Sequence, residues 1–541
     1  YLDNQADPGI GMDWVDSAFN DSPWDDGPYA VGFEAASGAQ YLLQTVVPAG
    51  TSSVYTRITF DIADVAEVQN LFLDVDYDDG YAAWINGVEV HRANLPTGTL
   101  YWNTAALAQH ESSNSVDFPI YEIQDISATG IPVLQDGENV LAIGVWNIAA
   151  ASDDLLLSPR LSTNRELTVT RGPYLQLGTP QSMVVRWRTS YPEESRLESG
   201  DAPGNLTFSV VDPAPKTEHE ITISGLDPET QYFYAVGTSE GMLAGDDADH
   251  FFITSPPAGA IRPIRIWAMG DFGEGTPDAM AVRDAYYAYT AGRHTDMWLM
   301  LGDNAMPNGT DYEYQTKLFE IYPEILRQTV AWPTIGNHEF GSSNSWNQSG
   351  PYYDSFTMPT AGEAGGLASG TEAYYSYDFG NIHFVVLDSY LTDRSVGSPM
   401  LTWLEADLAS TTRDWIIAYW HHPPYSKGVH DSDVDIEMIE MRENVLPITE
   451  DYGVDLVLAG HCHSYERSFL LDGHYGYSET FSELYKVDGG DGREDGDGAY
   501  AKLEYGPDPH SGTVYTVAGS GAKLTGGDLD HPAMYISMNE L

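Results

Sequence analysis

Five short polar runs, each set just after an apolar stretch, constrain this chain more than any other feature. They are GDFG at Gly270 to Gly273, GDN at Gly302 to Asn304, GNHE at Gly336 to Glu339, HHPPY at His421 to Tyr425 and GHCH at Gly460 to His463. The apolar stretches IRIWAM, MWLML, VAWPTI, WIIAYW and VDLVLA read as short buried strands, with helical patterns such as DAMAVRDAYYAY and WLEADLAS between several of them. A strand that ends in Gly-Asp or Gly-His delivers a polar side chain at the carboxyl edge of a sheet, because glycine lets the backbone turn sharply there. Successive βα units would converge those side chains on the edge where α/β sheets bind their substrates. Singly, each run is weak: Gly-Asp after a strand is a common turn, and HHPPY could be a proline-stiffened loop. Five in this order are not explained that way.

Aspartate, asparagine and histidine gathered at one edge are the ligands of a two-metal site. The chemistry that uses such a site is phosphate-ester hydrolysis, in which two cations about 3.5–4 Å apart clamp the phosphoryl oxygens, acidify a water and neutralise the in-line transition state. One carboxylate has to bridge the ions. Asp303 is the candidate, with Asp271 completing one metal and Asn337, a neutral oxygen donor, serving the other. Imidazoles of His421, His461 and His463 fill the remaining positions and select transition metals over magnesium or calcium. Cys462 lies between two of them; on an extended segment it points the opposite way and is read as packed.

These runs resemble the calcineurin-like metallophosphoesterases, and more closely the purple acid phosphatase branch, whose motifs run GDxG, GDxxY, GNH(D/E), VxxH and GHxH. The resemblance covers roughly Glu166 to the end and is very similar in GHCHSYERS, Gly460 to Ser468. By position it implies a first metal held by Asp271, Asp303 and His463, and a second held by Asp303, Asn337, His421 and His461. It makes His338 the residue that contacts phosphate and helps protonate the leaving oxygen, and His430 a second substrate contact. It favours His421 over His422 as ligand, since His421 directly follows its strand. One departure stands out. The branch has Tyr three residues after the bridging Asp, and this chain has Met306. Tyrosinate binds ferric iron and gives the purple colour, whereas a thioether is soft and neutral. The expectation is a colourless centre holding two ions among Zn, Mn and Fe, with weakened ferric preference. Gly273 stands where the wider superfamily often has His, so no ligand is restored there.

Composition bounds the rest. The chain has 541 residues, too many for one core, and suggests three domains. Lys+Arg number 24 against 81 Asp+Glu, a net of −57, which excludes non-specific binding to nucleic acid or anionic membrane as a main role. Such an excess suits a saline extracellular setting, where salt screens self-repulsion. The one cysteine excludes an internal disulfide and fits a bacterial secreted (or periplasmic) protein, or a cytosolic one. No apolar run is long enough for a membrane span. A start at Tyr1 without Met suggests a processed beginning, and the end at Leu541 suggests a further C-terminal segment.

Upstream, Leu167 to about Thr254 alternates in strand fashion with regular turns, which argues a β-sandwich. Trp187 and GLDPETQYFYAV, Gly225 to Val236, resemble a fibronectin type III-like domain. The first segment is also β-rich, with an Asn86-Gly87 hairpin turn, and resembles galactose-binding-like jelly-roll domains. That resemblance implies attachment to carbohydrate or a surface polymer, with Tyr77, Trp84, Trp102 or Trp146 as stacking platforms. Acidic turns at Asp76, Asp78 and Asp79, and at Asp491, Glu494, Asp495 and Asp497, are candidate calcium sites without the twelve-residue spacing of an EF-hand.

The expected fold is multidomain: a jelly-roll β domain at 1–165, a fibronectin type III-like sandwich at 166–257, and an α/β four-layer metallophosphoesterase sandwich at 258–541. The expected function is a secreted dinuclear phosphatase acting on phosphomonoesters by metal-activated hydroxide attack. The alternatives are a phosphodiesterase or nucleotidase of the same fold, and an extracellular binding protein whose phosphatase site is degraded at Met306.

Overall fold

The fold is taken from a computed structural model, which describes residues 1–36, 38–114, 119–149, 151–502, 504 and 506–539. They form two compact units, one of Tyr1–Leu167 with Ser190–Pro192, the other of Thr168–Thr189 with Glu193–Leu541. Among the described residues no helix is long and apolar enough to cross a membrane.

The first unit is built on two five-stranded sheets. One runs Leu2–Asn4, Ser53–Ile62, Gly137–Trp146, Gly80–Ile85, Val88–Ala93, the other Thr45–Val46, Val31–Glu34, Asp154–Thr163, Leu71–Asp78, Glu122–Asp125. Alternate residues of both, among them Val54, Ile143 and Val145 from one and Val31, Leu73 and Leu157 from the other, share a core. Asn86 and Gly87 take φ of 50° and 85°, the two left-handed positions a two-residue hairpin turn requires.

Burial rules out three of the four aromatic residues expected as stacking platforms. Tyr77, Trp84 and Trp146 are buried. The first sheet has a second covered face, where Trp84 and Trp146 pack with Trp14 and Tyr55, and the Trp146 indole donates to the Tyr101 carbonyl at 2.8 Å. Trp102 is partly buried at the margin of that cluster. The acidic loop near the C-terminus closes on itself: Asp497 accepts the Asp491 amide at 2.8 Å and Arg493 pairs with Asp495 at 2.8 Å.

In the second unit, six strands from Val169 to Ile253 form one hydrogen-bonded network. Its 21-residue strand Ser182–Ala202 pairs with Val169–Gln176 through its first half and with Gln231–Thr238 through its second. Next come a parallel three-stranded sheet, Ile266–Met269, Met297–Met300 and Val330–Pro333, and a mixed seven-stranded sheet that contains Ile382–Val386, Trp415–Tyr419 and Leu456–Ala459. The two sheets pack face to face, with Trp332 stacked on Tyr377 at 3.8 Å. Helix Pro277–Thr290, capped by the Thr276 hydroxyl, covers the smaller sheet through Tyr286 on Trp267. Helix Pro399–Ser410 covers the larger. There Phe384, Val386 and Tyr419 face the inter-sheet core while Val385, Leu387 and Ala418 face Leu401 and Leu404, the period-2 alternation of a strand buried on both sides. Tyr174, Trp187 and Phe252 belong to the same hydrophobic cluster as Trp298 and Tyr377, so the strands from 169 to 253 and the sheets after them share one core.

Candidate metal centre

Every polar run falls at the carboxyl end of a parallel strand. Asp271 follows Ile266–Met269, Asp303 follows Met297–Met300, and Asn337 follows Val330–Pro333. His421 follows Trp415–Tyr419 and His461 follows Leu456–Ala459. Three of them turn in the left-handed region, Asp271 at φ 57°, Asp303 at 53° and His461 at 68°. That conformation costs a non-glycine residue free energy and is kept where surrounding contacts determine it. Glycine is required beside them by close approach: a Cβ on Gly302, itself at φ +89°, would sit 2.4 Å from His421 Nδ1. On Gly336 it would sit 2.2 Å from Asp303 Oδ1.

The side chains converge. One ligand atom each from Asp271, Asp303 and His421 lie within 4.8 Å of one another. His421 Nε2 is 3.4 Å from Asp303 Oδ2 and 3.1 Å from Asn337 Oδ1, and His461 Nδ1 is 3.0 Å from the same Asn337 oxygen. His463 Nε2 lies 3.5 Å from Asp271 Oδ1. The six expected donors thus meet at one buried spot between the two sheets' edges. Cys462 is buried, its thiol directed to the His430 carbonyl at 3.5 Å and away from this spot.

The donors fit a pair of cations. His421 Nδ1 bonds the Leu301 carbonyl at 2.8 Å, so Nε2 is the atom that faces Asp303 and Asn337. Asp271 Oδ1 and His463 Nδ1 are buried without a hydrogen-bond partner. Burial opposes charge on His421, yet Asp303 and Asp271 push its pKa up to about 10. Burial pushes His461 down to about 3. Burial also works against Asp303, but His421 and His338 hold it well below the usual carboxylate range, while burial raises Asp271. Two carboxylates, an amide oxygen and three imidazoles form a mixed nitrogen and oxygen set suited to zinc, iron or manganese.

Around this set stand the two other expected residues. His338 is half-buried, its amide on Asp303 Oδ1 at 3.0 Å, its Nδ1 on the Pro307 carbonyl at 2.7 Å and its Nε2 3.8 Å from Asp303 Oδ2. His430 stacks on His461 at 3.8 Å and bonds Asp435 at 2.9 Å. His422 is buried, meets Ser389 Oγ through Nδ1 at 2.9 Å, and offers a ring nitrogen within 4.8 Å of ones on His421 and His461, so it is a further candidate donor beside the six expected.

Sequence reasoning passed over Glu339, although it lies in the GNHE run. It is fully buried, and its carboxylate accepts four backbone amides, from Asp303, Asn304, Ala305 and Gly336. Burial, then Asp303, pushes its pKa up to about 7. Asp435, which joins His430 to the neighbourhood of His461, carried no sequence signal. The two departures from the motif pattern are adjacent in space. The Met306 amide donates to the Gly273 carbonyl at 2.8 Å, and a Cβ on Gly273 would lie 2.4 Å from the Asn304 carbonyl carbon. The backbone at Asn304 and Ala305 therefore occupies the space a side chain at 273 would need.

Comparison with known proteins matches this architecture. Residues 264–465 match the calcineurin-like phosphoesterase family, and residues 170–254 match the purple acid phosphatase N-terminal domain. Purple acid phosphatase 23 of Arabidopsis thaliana is 29% identical over 296 residues, 50% of this chain and 61% of that protein. Purple acid phosphatase 18 of the same plant is 26% identical over 387 residues, 65% of this chain and 79% of its own. The chain thus spans less than two thirds of the first of these relatives. In structure it is similar to a purple acid phosphatase from yellow lupin seeds, with a TM-score of 0.50, 15% identity, and coverage of 94% of this chain and 90% of that one, a likeness of fold. The two matched regions follow one another without overlap, and residues 264–465 enclose every donor described above, so the chain carries a calcineurin-like phosphoesterase domain preceded by a purple acid phosphatase N-terminal domain.

Proposed function

We propose that this chain is a dinuclear metal-dependent phosphatase that hydrolyses phosphomonoesters. The observation that carries the reading is the convergence of Asp271, Asp303, Asn337, His421, His461 and His463 at one edge, beside a half-buried imidazole with a free nitrogen. Asp271, Asp303 and His463 would hold one ion, and Asp303, Asn337, His421 and His461 the other. When bound, the pair supplies positive charge to the phosphoryl oxygens and lowers the pKa of water.

The chain's own residues do the rest. The Pro307 carbonyl fixes the Nδ1 proton of His338, so Nε2 is the atom that exchanges a proton with the departing alcohol. The aromatic face of His461 and the Asp435 carboxylate hold His430, which leaves its other nitrogen for a substrate oxygen. The domain division into 1–165, 166–257 and 258–541 is part of the proposal, with the shared core making the middle segment a scaffold for the last. So is an extracellular or periplasmic bacterial setting, supported by the net charge of −57 and the one cysteine.

A second reading has a specific observation behind it. Met306 replaces the expected tyrosine, and Gly273 is backed by main chain, so the first ion has a thin ligand set and the domain could be a binding module with a degraded site. Phosphate release by wild type and Asp303→Ala, each loaded with Zn, Mn or Fe, separates the two. Hydrolysis by wild type alone supports the enzyme; no turnover by either, with every metal, leaves the binding reading. Rates on chromogenic monoesters and diesters then decide between phosphatase and phosphodiesterase.

A further inference from the structure

The N-terminal unit holds a cluster of carboxylates with no compensating charge. Asp78 ends strand Leu71–Asp78, and Asp154 opens the antiparallel neighbour Asp154–Thr163, in which Leu156 pairs with Asp78. Both acids therefore sit at one end of the sheet, and Glu111 reaches them from the loop beyond strand Val88–Ala93. One carboxylate oxygen from each of Asp78, Glu111 and Asp154 lie within 4.8 Å of one another. Asp78 is 2% exposed and its Oδ1 has no hydrogen-bond partner. Among the described residues none of the three joins an ion pair with a Lys, Arg or His.

The neighbours offer no relief. Asp79 is engaged by the amides of His110 and Ile148, Asp76 by the Ser113 amide and hydroxyl, and Glu34 by the amides of Ala36 and Ala39. His110 is committed to the Tyr77 carbonyl and to Glu122. An uncompensated buried carboxylate costs several kcal/mol, so the chain must either protonate the cluster or fill it with a cation. Burial, then Asp154, Asp79 and Glu111, push the Asp78 carboxyl up to about 9, which measures how poorly the protein alone accommodates the charge.

We propose that Asp78, Glu111 and Asp154 form a calcium site that ties the Glu111 loop to the ends of the two strands. The donors are all hard oxygens, without the imidazole or thiolate a transition metal selects. Calcium accepts irregular oxygen shells completed by water, whereas magnesium demands near-ideal octahedral geometry. Three carboxylates from three separate segments make an irregular set, and Glu111, exposed, leaves room for water to complete the shell. This site differs from the acidic turn expected from sequence in that Asp79 is satisfied by backbone amides and Asp76 by the Ser113 amide and hydroxyl, which leaves Asp78 to bind.

The test uses the full chain with Asp271→Asn and Asp303→Asn, so that the metal centre does not compete for calcium. EGTA-treated protein is titrated with calcium while bound metal and thermal melting are followed. The expected result is about one calcium per chain and a rise of several degrees in the melting of the N-terminal unit. In Glu111→Gln, exposed and harmless to folding, affinity falls about tenfold, and in Asp154→Asn both binding and shift are lost. Equal calcium content in all three proteins, or a melting curve indifferent to calcium, would overturn the proposal and leave a proton-sharing carboxyl pair.

Discussion

Glu339 Oε1 accepts the amide of Asn304 at 2.7 Å, across the gap between two strand-end loops. The same carboxylate takes the amides of Asp303 at 3.2 Å, Ala305 at 3.1 Å and Gly336 at 2.7 Å. One buried side chain thus sets the spacing between the loop that carries Asp303 and the loop that carries Asn337. In Glu339→Gln an amide group would face backbone donors, leaving buried N–H groups unpaired at about 1–3 kcal/mol each. Metal affinity is expected to fall by about 10–100-fold, as for other residues that orient ligands. Chelator competition and thermal melting, read together, check this; unchanged affinity would mean the loops hold their spacing without it.

Gly302→Ala should be damaging although position 302 supplies no donor itself. Its Cβ would meet His421 Nδ1 at 2.4 Å, and the imidazole would have to leave the Leu301 carbonyl. A displacement of this kind costs about 10²-fold in turnover. The expected signature is a drop in kcat with the melting temperature lowered only modestly, and retention of wild-type kcat counts against the geometry.

Met306 bears on colour. Wild type loaded with ferric iron is expected to show no strong visible band, whereas Met306→Tyr should gain one if the phenol reaches the iron. An absorption spectrum of both proteins suffices, and a band in wild type sinks the reading of the first site.

His383 predicts a pH dependence of stability. Burial opposes its charge, but hydrogen bonds to Asp378 and Asp407, each at 2.9 Å, push its pKa up to about 9. The folded value lies above the unfolded one of about 6.5, so its contribution is complete below about pH 6.5 and is lost as pH rises through about 9. The full contribution is on the order of 3 kcal/mol. Urea unfolding of wild type and His383→Gln should differ most in mild acid and converge in alkali; a gap that stays constant with pH rejects the assignment.

The middle segment and the two sheets that carry the donors should unfold together. Arg171 and Arg188 both bind Asp311, at 2.9 Å and 2.6 Å, and Arg171 is almost wholly buried. Asp311→Ala leaves that guanidinium short of a partner and is expected to cost about 2 kcal/mol, discounted because Asp311 itself is partly exposed. Calorimetry should show one shifted transition for this unit. Two separated transitions would show that the shared core does not couple them.

How much of this was legible in the sequence follows from the range of the interactions. The five strands and the two helices were readable because their signal is local: an unbroken apolar run, or apolar residues at helical spacing, ended by glycine or a capping hydroxyl. The aromatic residues of the first unit were misjudged for the opposite reason. Trp84 and Trp146 alternate properly along their strands, yet the outward face of that sheet is covered by a segment about seventy residues earlier in the case of Trp84 and farther for Trp146, which no local pattern reveals. Glu339 was overlooked because its partners are amides, which every residue carries.

By itself the sequence determined the donor chemistry: carboxylate, amide and imidazole at strand ends, with glycines where the chain must turn. That information is local, since residue type and spacing decide which atoms a strand end can present. Only the tertiary structure decided what each polar group faces. Asp303 and Asp78 are both buried aspartates at strand ends, but the first meets His421 and the His338 amide while the second is grouped with Glu111 and Asp154. Their difference comes from neighbours distant in the chain, because the energy of a buried charge is set by what surrounds it in space.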